Sequence, residues 1–137
     1  MAISLLADTQ VVVWYLREPD RLSNAAVLAL TSITVNDDLI GVSAFSIVEL
    51  VYAVEKSTNP FTGEDLDVIL DALADPEGPF TVVAVDERIA ARVRSVPREG
   101  NADPGDRIIV ATAEELGVAL VSADRKLPTM TTARVIW

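Results

Sequence analysis

The feature that most limits the fold is an alternation of short, continuous apolar runs with longer stretches of helical spacing. Residues 3–7, 39–43, 80–85 and 118–122 are dominated by aliphatic and β-branched side chains, and 133–137 is a last short run of the same kind. A strand with one face in water alternates apolar and polar residues, so an unbroken apolar run predicts a strand covered on both faces. The stretches between them repeat apolar residues every three or four positions, as in Ile47, Leu50, Val51 and Val54 or Leu66, Ile69, Leu70 and Leu73. They predict helices over about 8–16, 25–35, 44–56, 64–75, 87–94 and 103–116. Strands and helices taken in turn give one three-layer α/β/α domain over 1–137, with a mainly parallel sheet of about five strands.

The punctuation agrees. Pro19, the Asn59-Pro60 pair with Gly63, and the run Asp75-Pro76-Glu77-Gly78-Pro79 break the periodic segments. Ser23 or Asn24 and Asp86 stand where helix caps are expected. Asp103-Pro104 opens a helix that stops at Gly117, because an Asp side chain accepts from the first free N–H groups and proline has no N–H to leave unpaired.

Composition removes several kinds of chemistry. With no His and no Cys, the usual ligands of zinc, copper, haem and iron–sulfur clusters are missing. Any bound ion is then expected to be hard and oxygen-liganded, magnesium or manganese. The lack of cysteine suits a cytoplasmic protein. No apolar run is long enough to cross a bilayer, and no membrane partner is expected. The formal charge of −10 argues against a broad basic face for nucleic acid and favours a basic partner protein.

Part of that excess sits in a suggestive pattern. Asp8 and Asp124 each follow an apolar run, while Glu49 and Asp106 fall early in helical stretches. In parallel sheets the ligand crevice lies outside the carboxyl ends of the strands, so all four can project toward one edge. Like charges about 4 Å apart repel by roughly 4 kcal/mol at an effective dielectric near 20, a large share of a domain's stability. A divalent cation shared by Asp8, Glu49, Asp106 and Asp124 relieves that cost, and without an imidazole base it also offers the route to an activated water. Each acid has an ordinary use as well: Asp8, Asp103 and Asp124 as caps or turn residues, Asp106 in a capping arrangement, Glu49 as a solvated helix edge. Arg107 faces either a site acid or a phosphate. Trp14 and Tyr15 fit a core or a dimer contact better than a base-stacking platform.

The chain resembles the PIN domains, and in particular the VapC-type ribonuclease toxins of bacterial and archaeal toxin–antitoxin pairs. The residues that carry the likeness are Leu5-Leu6-Ala7-Asp8-Thr9 with Trp14-Tyr15-Leu16, the segment 43–50, Val85-Asp86-Glu87-Arg88-Ile89-Ala90, the segment 103–113 (DPGDRIIVATA), and 120–126 (LVSADRK). The resemblance implies a Mg²⁺- or Mn²⁺-dependent endoribonuclease with Asp8, Glu49, Asp106 and Asp124 as its acidic site, supported by Thr9, Ser46 and Ser122. It also implies an RNA substrate, a homodimer and a cognate antitoxin that covers the cleft. Two positions depart from many relatives: Gln10 stands where a histidine is common, and Glu99-Gly100-Asn101-Ala102 replaces a loop that often holds histidine and arginine. Two other readings compete: a non-catalytic module whose acidic cleft binds a basic partner peptide, and a phosphoryl-accepting α/β domain. The second lacks an adjacent acid pair after the first strand, where Asp8 is followed by Thr9-Gln10.

Overall fold

The computed structural model describes every residue except Met1, Ser57 and Asn59. Five strands, β1 (Ile3–Ala7), β2 (Leu39–Ser43), β3 (Phe80–Val83), β4 (Ala119–Val121) and β5 (Val135–Ile136), form one sheet in the order β3-β2-β1-β4-β5. Every pairing is parallel. Among the described residues six α-helices connect them: α1 (Thr9–Arg17), α2 (Asn24–Val35), α3 (Ala44–Glu55), α4 (Gly63–Ala74), α5 (Glu87–Arg92) and α6 (Pro104–Leu116).

Side-chain alternation along β1 divides the core in two. Leu5 and Ala7 pack with Val11, Leu30, Leu50 and Ile69 from α1 to α4, whereas Leu6 packs with Ile89, Ile109, Val110 and Leu120 on the α5–α6 side. Leu6, Ile40 and Leu120 are fully buried. That is why the strands read as unbroken apolar runs: both faces are roofed by helices.

The helix limits follow local chemistry. Asp103 caps α6, its Oδ1 accepting from the Asp106 N–H at 3.0 Å, Pro104 takes the first position, and Gly117 closes the helix at φ 67°. Asp86 caps α5 through the Ile89 N–H. Helix α4 begins one residue earlier than its spacing suggests, because Thr62 and Asp65 form a reciprocal capping box. The Asn59 half of the break before it lies outside the described residues.

Four elements are shorter than their sequences imply, among them β4, which keeps only Ala119–Val121 of the run 118–122. The apolar run at 80–85 pairs only as far as Val83, since β2 ends at Ser43 and offers no further partner. The helix expected to reach Arg94 stops at Arg92 and tightens into a 3₁₀ turn, Val93–Ser95. Only Val135–Ile136 of the last run joins β4. Among the described residues no helix is long and apolar enough to cross a membrane.

Candidate active site at the carboxyl ends of the strands

The chain builds the sheet outward from β1 in one direction through β2 and β3, then in the other through β4 and β5. The direction reverses between β1 and β4, and a crevice opens outside the carboxyl ends of strands at such a reversal. Asp8 stands directly after β1 and Asp124 three residues after β4, so the acids flank this point. Asp8 extends the pairing by one backbone bond, its N–H to the Val121 carbonyl at 3.0 Å.

Ser122 ties the two together. Its hydroxyl donates to Asp8 Oδ2 at 2.6 Å and accepts the Asp124 N–H at 3.0 Å. The other Asp8 oxygen accepts from the Thr9 N–H at 2.8 Å, so Asp8 also caps α1. A single residue thus serves as both cap and site acid.

A second chain of hydrogen bonds fixes Glu49. Thr9 Oγ1 lies 2.7 Å from Ser46 Oγ and 2.7 Å from Glu49 Oε1. One hydroxyl carries one proton, and an ionised carboxylate can only accept, so Thr9 donates to Glu49 while Ser46 donates to Thr9. Ser46 and Ser122 are each 1% exposed, which keeps water from competing for these bonds. Asp8, Thr9, Gln10, Glu49, Phe61 and Asp124 line one cleft of about 490 Å³.

Asp106 approaches from α6. Its Oδ2 accepts from Asn101 Nδ2 at 2.8 Å, and Asn101 Oδ1 in turn accepts the Asp103 N–H at 3.1 Å. The start of α6 lies hard against α3. A Cβ on Gly105 would come within 2.8 Å of Phe45 Cε1 and 3.0 Å of Glu49 Oε2. Glycine here is a matter of close approach, and it lets Asp106 reach the same edge as Glu49.

The electrostatics show that these acids share one field. Burial raises the Asp8 carboxyl above its ordinary range against the opposing bonds from Ser122 and Thr9, and the charges of Asp106 and Asp124 raise it further. Glu49 is raised by burial, opposed by Thr9, with Asp8, Asp106 and Asp103 adding to the shift. Asp106 is raised by burial, opposed by Asn101, with Asp103 and Asp124 pushing up and Lys126 pulling down. Among the described residues no three acids stand close enough together to hold a metal ion as they are placed. An all-carboxylate donor set in mutual repulsion still fits a hard divalent cation in kind.

Arg107 does not face the acids. Its guanidinium donates to the Val93 and Val96 carbonyls at 3.0 and 2.9 Å. One residue along a helix turns the side chain by roughly 100°, away from the direction of Asp106 and onto the 3₁₀ turn. Its part is to hold the loop that precedes α6. Asn101 is the residue the sequence reading did not select. The available signal was an Asn two positions before a capping Asp, a spacing suited to a side chain that bonds the backbone two residues on.

Comparisons with known proteins place the fold. The PIN domain model matches residues 5–131. The chain belongs to the PIN-domain family. Among PIN proteins it is 32% identical over 124 residues, 90% of this chain and 89% of the relative, to ribonuclease VapC22 of Mycobacterium tuberculosis. The PIN fold is shared with the VapBC2 structure from Rickettsia felis bound to a promoter DNA fragment, at a TM-score of 0.71 and 16% identity, covering 98% of this chain and 97% of that one. It is shared too with a toxin–antitoxin complex from Klebsiella pneumoniae, at a TM-score of 0.59 and 20% identity, covering 90% and 88%.

Proposed function

We propose that this protein is a metal-dependent endoribonuclease and the toxin of a toxin–antitoxin pair. The observation that carries the proposal is the pair of hydrogen-bond chains, Ser122–Asp8 and Ser46–Thr9–Glu49, that aim half-buried carboxylates into one cleft at the sheet's reversal point. Hydrogen-bond partners of this kind orient the ligands of metal sites. The ribonuclease relative at 32% identity supports RNA as the substrate.

Asp8, Glu49, Asp106 and Asp124 would hold Mg²⁺ or Mn²⁺. When bound, the ion supplies Lewis acidity toward a phosphate and lowers the pKa of water. The chain's own part is positional. Ser122 and the Thr9 N–H fix both oxygens of Asp8, Thr9 fixes one oxygen of Glu49, and Asn101 fixes one oxygen of Asp106. The overall step is hydrolysis, in which water adds at phosphorus and an ester P–O bond breaks.

The partners proposed are a cognate antitoxin and a second copy of the chain. The net charge of −10 suits a basic antitoxin segment, and the neighbouring complexes support one. Exposed Val48 and Tyr52 on α3 and Leu28 and Val35 on α2 supply apolar surface for such contacts. The test is cleavage of a mixed RNA pool by antitoxin-free protein with Mg²⁺ or Mn²⁺, with EDTA and Asp8→Asn as controls. Cleavage lost in both controls is the expected result. Folded protein that cuts no RNA but binds a basic peptide would replace the nuclease with the acidic-cleft binding module.

A further inference from the structure

The acid-lined cleft does not end at the acids. A slot of about 330 Å³ continues along α1, sharing Gln10, Val13 and Phe61 with the cleft and adding Trp14, Arg17 and Arg21 together with the acids Glu18 and Asp65. Arg17 ends α1, Arg21 ends the 3₁₀ turn that follows it, Pro19–Arg21, and both line the slot. Their presence in the slot matters in a chain of net charge −10. Arg88 and Arg92 are paired with Glu114 and Glu115, and Arg107 is spent on backbone carbonyls.

Arg17 and Arg21 are held in place with donors to spare. Arg17 Nη2 lies 3.2 Å from Asp65, and Arg21 Nη1 lies 3.1 Å from Glu18, in pairs whose arginine side chains are 44% and 59% exposed. Exposed pairs of this kind hold weakly. Arg21 is also stacked over the Trp14 ring, 4.9 Å from its centroid, which steadies the guanidinium. Each guanidinium carries five N–H donors in a fixed fork that suits a phosphate.

We propose that this slot is the subsite for the RNA backbone beside the scissile phosphate, with Arg17 and Arg21 receiving the neighbouring phosphates. The inference rests on the ribonuclease reading above. It divides the work: the acids do chemistry at one phosphate, and the arginines, outside the acids' immediate reach, set the register of the strand. It also explains how an acidic domain can take an acidic polymer, since cations are needed only along the strand's path. Asp65 and Glu18 hold the arginines until a phosphate displaces them.

The test uses wild-type protein and a pool of single-stranded RNAs about 12 nucleotides long, a length in the range of known single-strand sites. The double variant Arg17→Ala/Arg21→Ala should raise KM about tenfold with kcat within about twofold, and flatten the salt dependence of log kcat/KM by about 1.4, the loss of two phosphate contacts on a single strand. Glu18→Gln, which frees Arg21, should lower KM. Arg134→Ala, which removes one of the two charges the double variant removes, and Glu77→Gln, which changes charge as Glu18→Gln does, lie at the amino ends of the strands and should leave KM unchanged. A purely structural role for the arginines predicts a lower Tm with KM unmoved and no gain from Glu18→Gln, and would overturn the proposal. So would a KM shift that Arg134→Ala reproduces. If the wild type cuts no RNA, anisotropy of the same pool in EDTA reads the slot separately: binding weakened by the double variant upholds it, and binding indifferent to it does not.

Discussion

Replacing Asp106 by asparagine should make the metal-free protein more stable while removing its activity. Asp106 sits in the field of Asp103 and Asp124, and burial raises its carboxyl further. Two unit charges about 7 Å apart repel by roughly 2 kcal/mol at an effective dielectric near 20. Partial exposure screens that figure by about half, and the charged hydrogen bond from Asn101 becomes a neutral one at a loss of about 1 kcal/mol. With two such neighbours, Asp103 and Asp124, the screened repulsion is about 2 kcal/mol, so the net gain is about 1 kcal/mol, or a Tm rise of roughly 2–5 °C in EDTA near pH 7. The sign with pH follows from linkage. A carboxyl raised in the folded state binds its proton more readily folded than unfolded, so its cost is present above the folded pKa and fades as pH falls toward the unfolded value of 3.8. The advantage of asparagine should therefore shrink on acidification and vanish near pH 4. Cleavage should fall at least about a hundredfold, the upper end of what metal-site partners contribute. Thermal melts in EDTA across pH, run beside an RNA cleavage assay, check both halves. A variant that melts lower at neutral pH, or that still cuts RNA, would refute the reasoning.

Other perturbations read single links in the site. Thr9→Val removes the donor to Glu49 while keeping the shape, so kcat should fall about tenfold to a hundredfold with little change in Tm; an unchanged kcat would show that Glu49 needs no orientation. Gly105→Ala puts a methyl where Phe45 and Glu49 already stand, and a crystal structure should show Glu49 displaced, with lower metal affinity by calorimetry. Arg107→Met should lower Tm by leaving the Val93 and Val96 carbonyls without their donor, about 1–3 kcal/mol, and should not change KM for RNA.

The sheet and α6 were legible because their signals are local. Unbroken apolar runs report two covered faces, and Asp103, Pro104 and Gly117 mark both ends of one helix with caps that act within a few residues. The limits of β3, α5 and β5 were not, because pairing and helix tightening depend on where a neighbour ends, as Ser43 ends the support for β3. Gly63 read as a breaker although Thr62 and Asp65 cap a helix around it, since aspartate is not the usual partner in that box. In the candidate site Asp8, Asp106 and Asp124 stood out because each follows or opens an element, and Glu49 because apolar residues surround it. What aims them could not: Ser122 meets Asp8 across 114 positions and Thr9 meets Glu49 across 40. Thr9, Ser46 and Ser122 entered only through the family likeness. Arg107 and Asn101 show the same limit, because the direction of a side chain from a helix or loop is set by what packs against it.

The most direct test of the central claim, that these carboxylates hold the ion that cuts RNA, is one titration read two ways. Mg²⁺ or Mn²⁺ is added to metal-free protein while Tm and the rate of RNA cleavage are followed over the same concentrations. Binding to the folded state alone should stabilise it by about 2.7 kcal/mol at a hundred times Kd. The account predicts that Tm and rate rise together with one midpoint, and that Asp106→Asn abolishes both responses. Cleavage that persists in EDTA, or a rate that responds to metal while Tm stays flat, would contradict it.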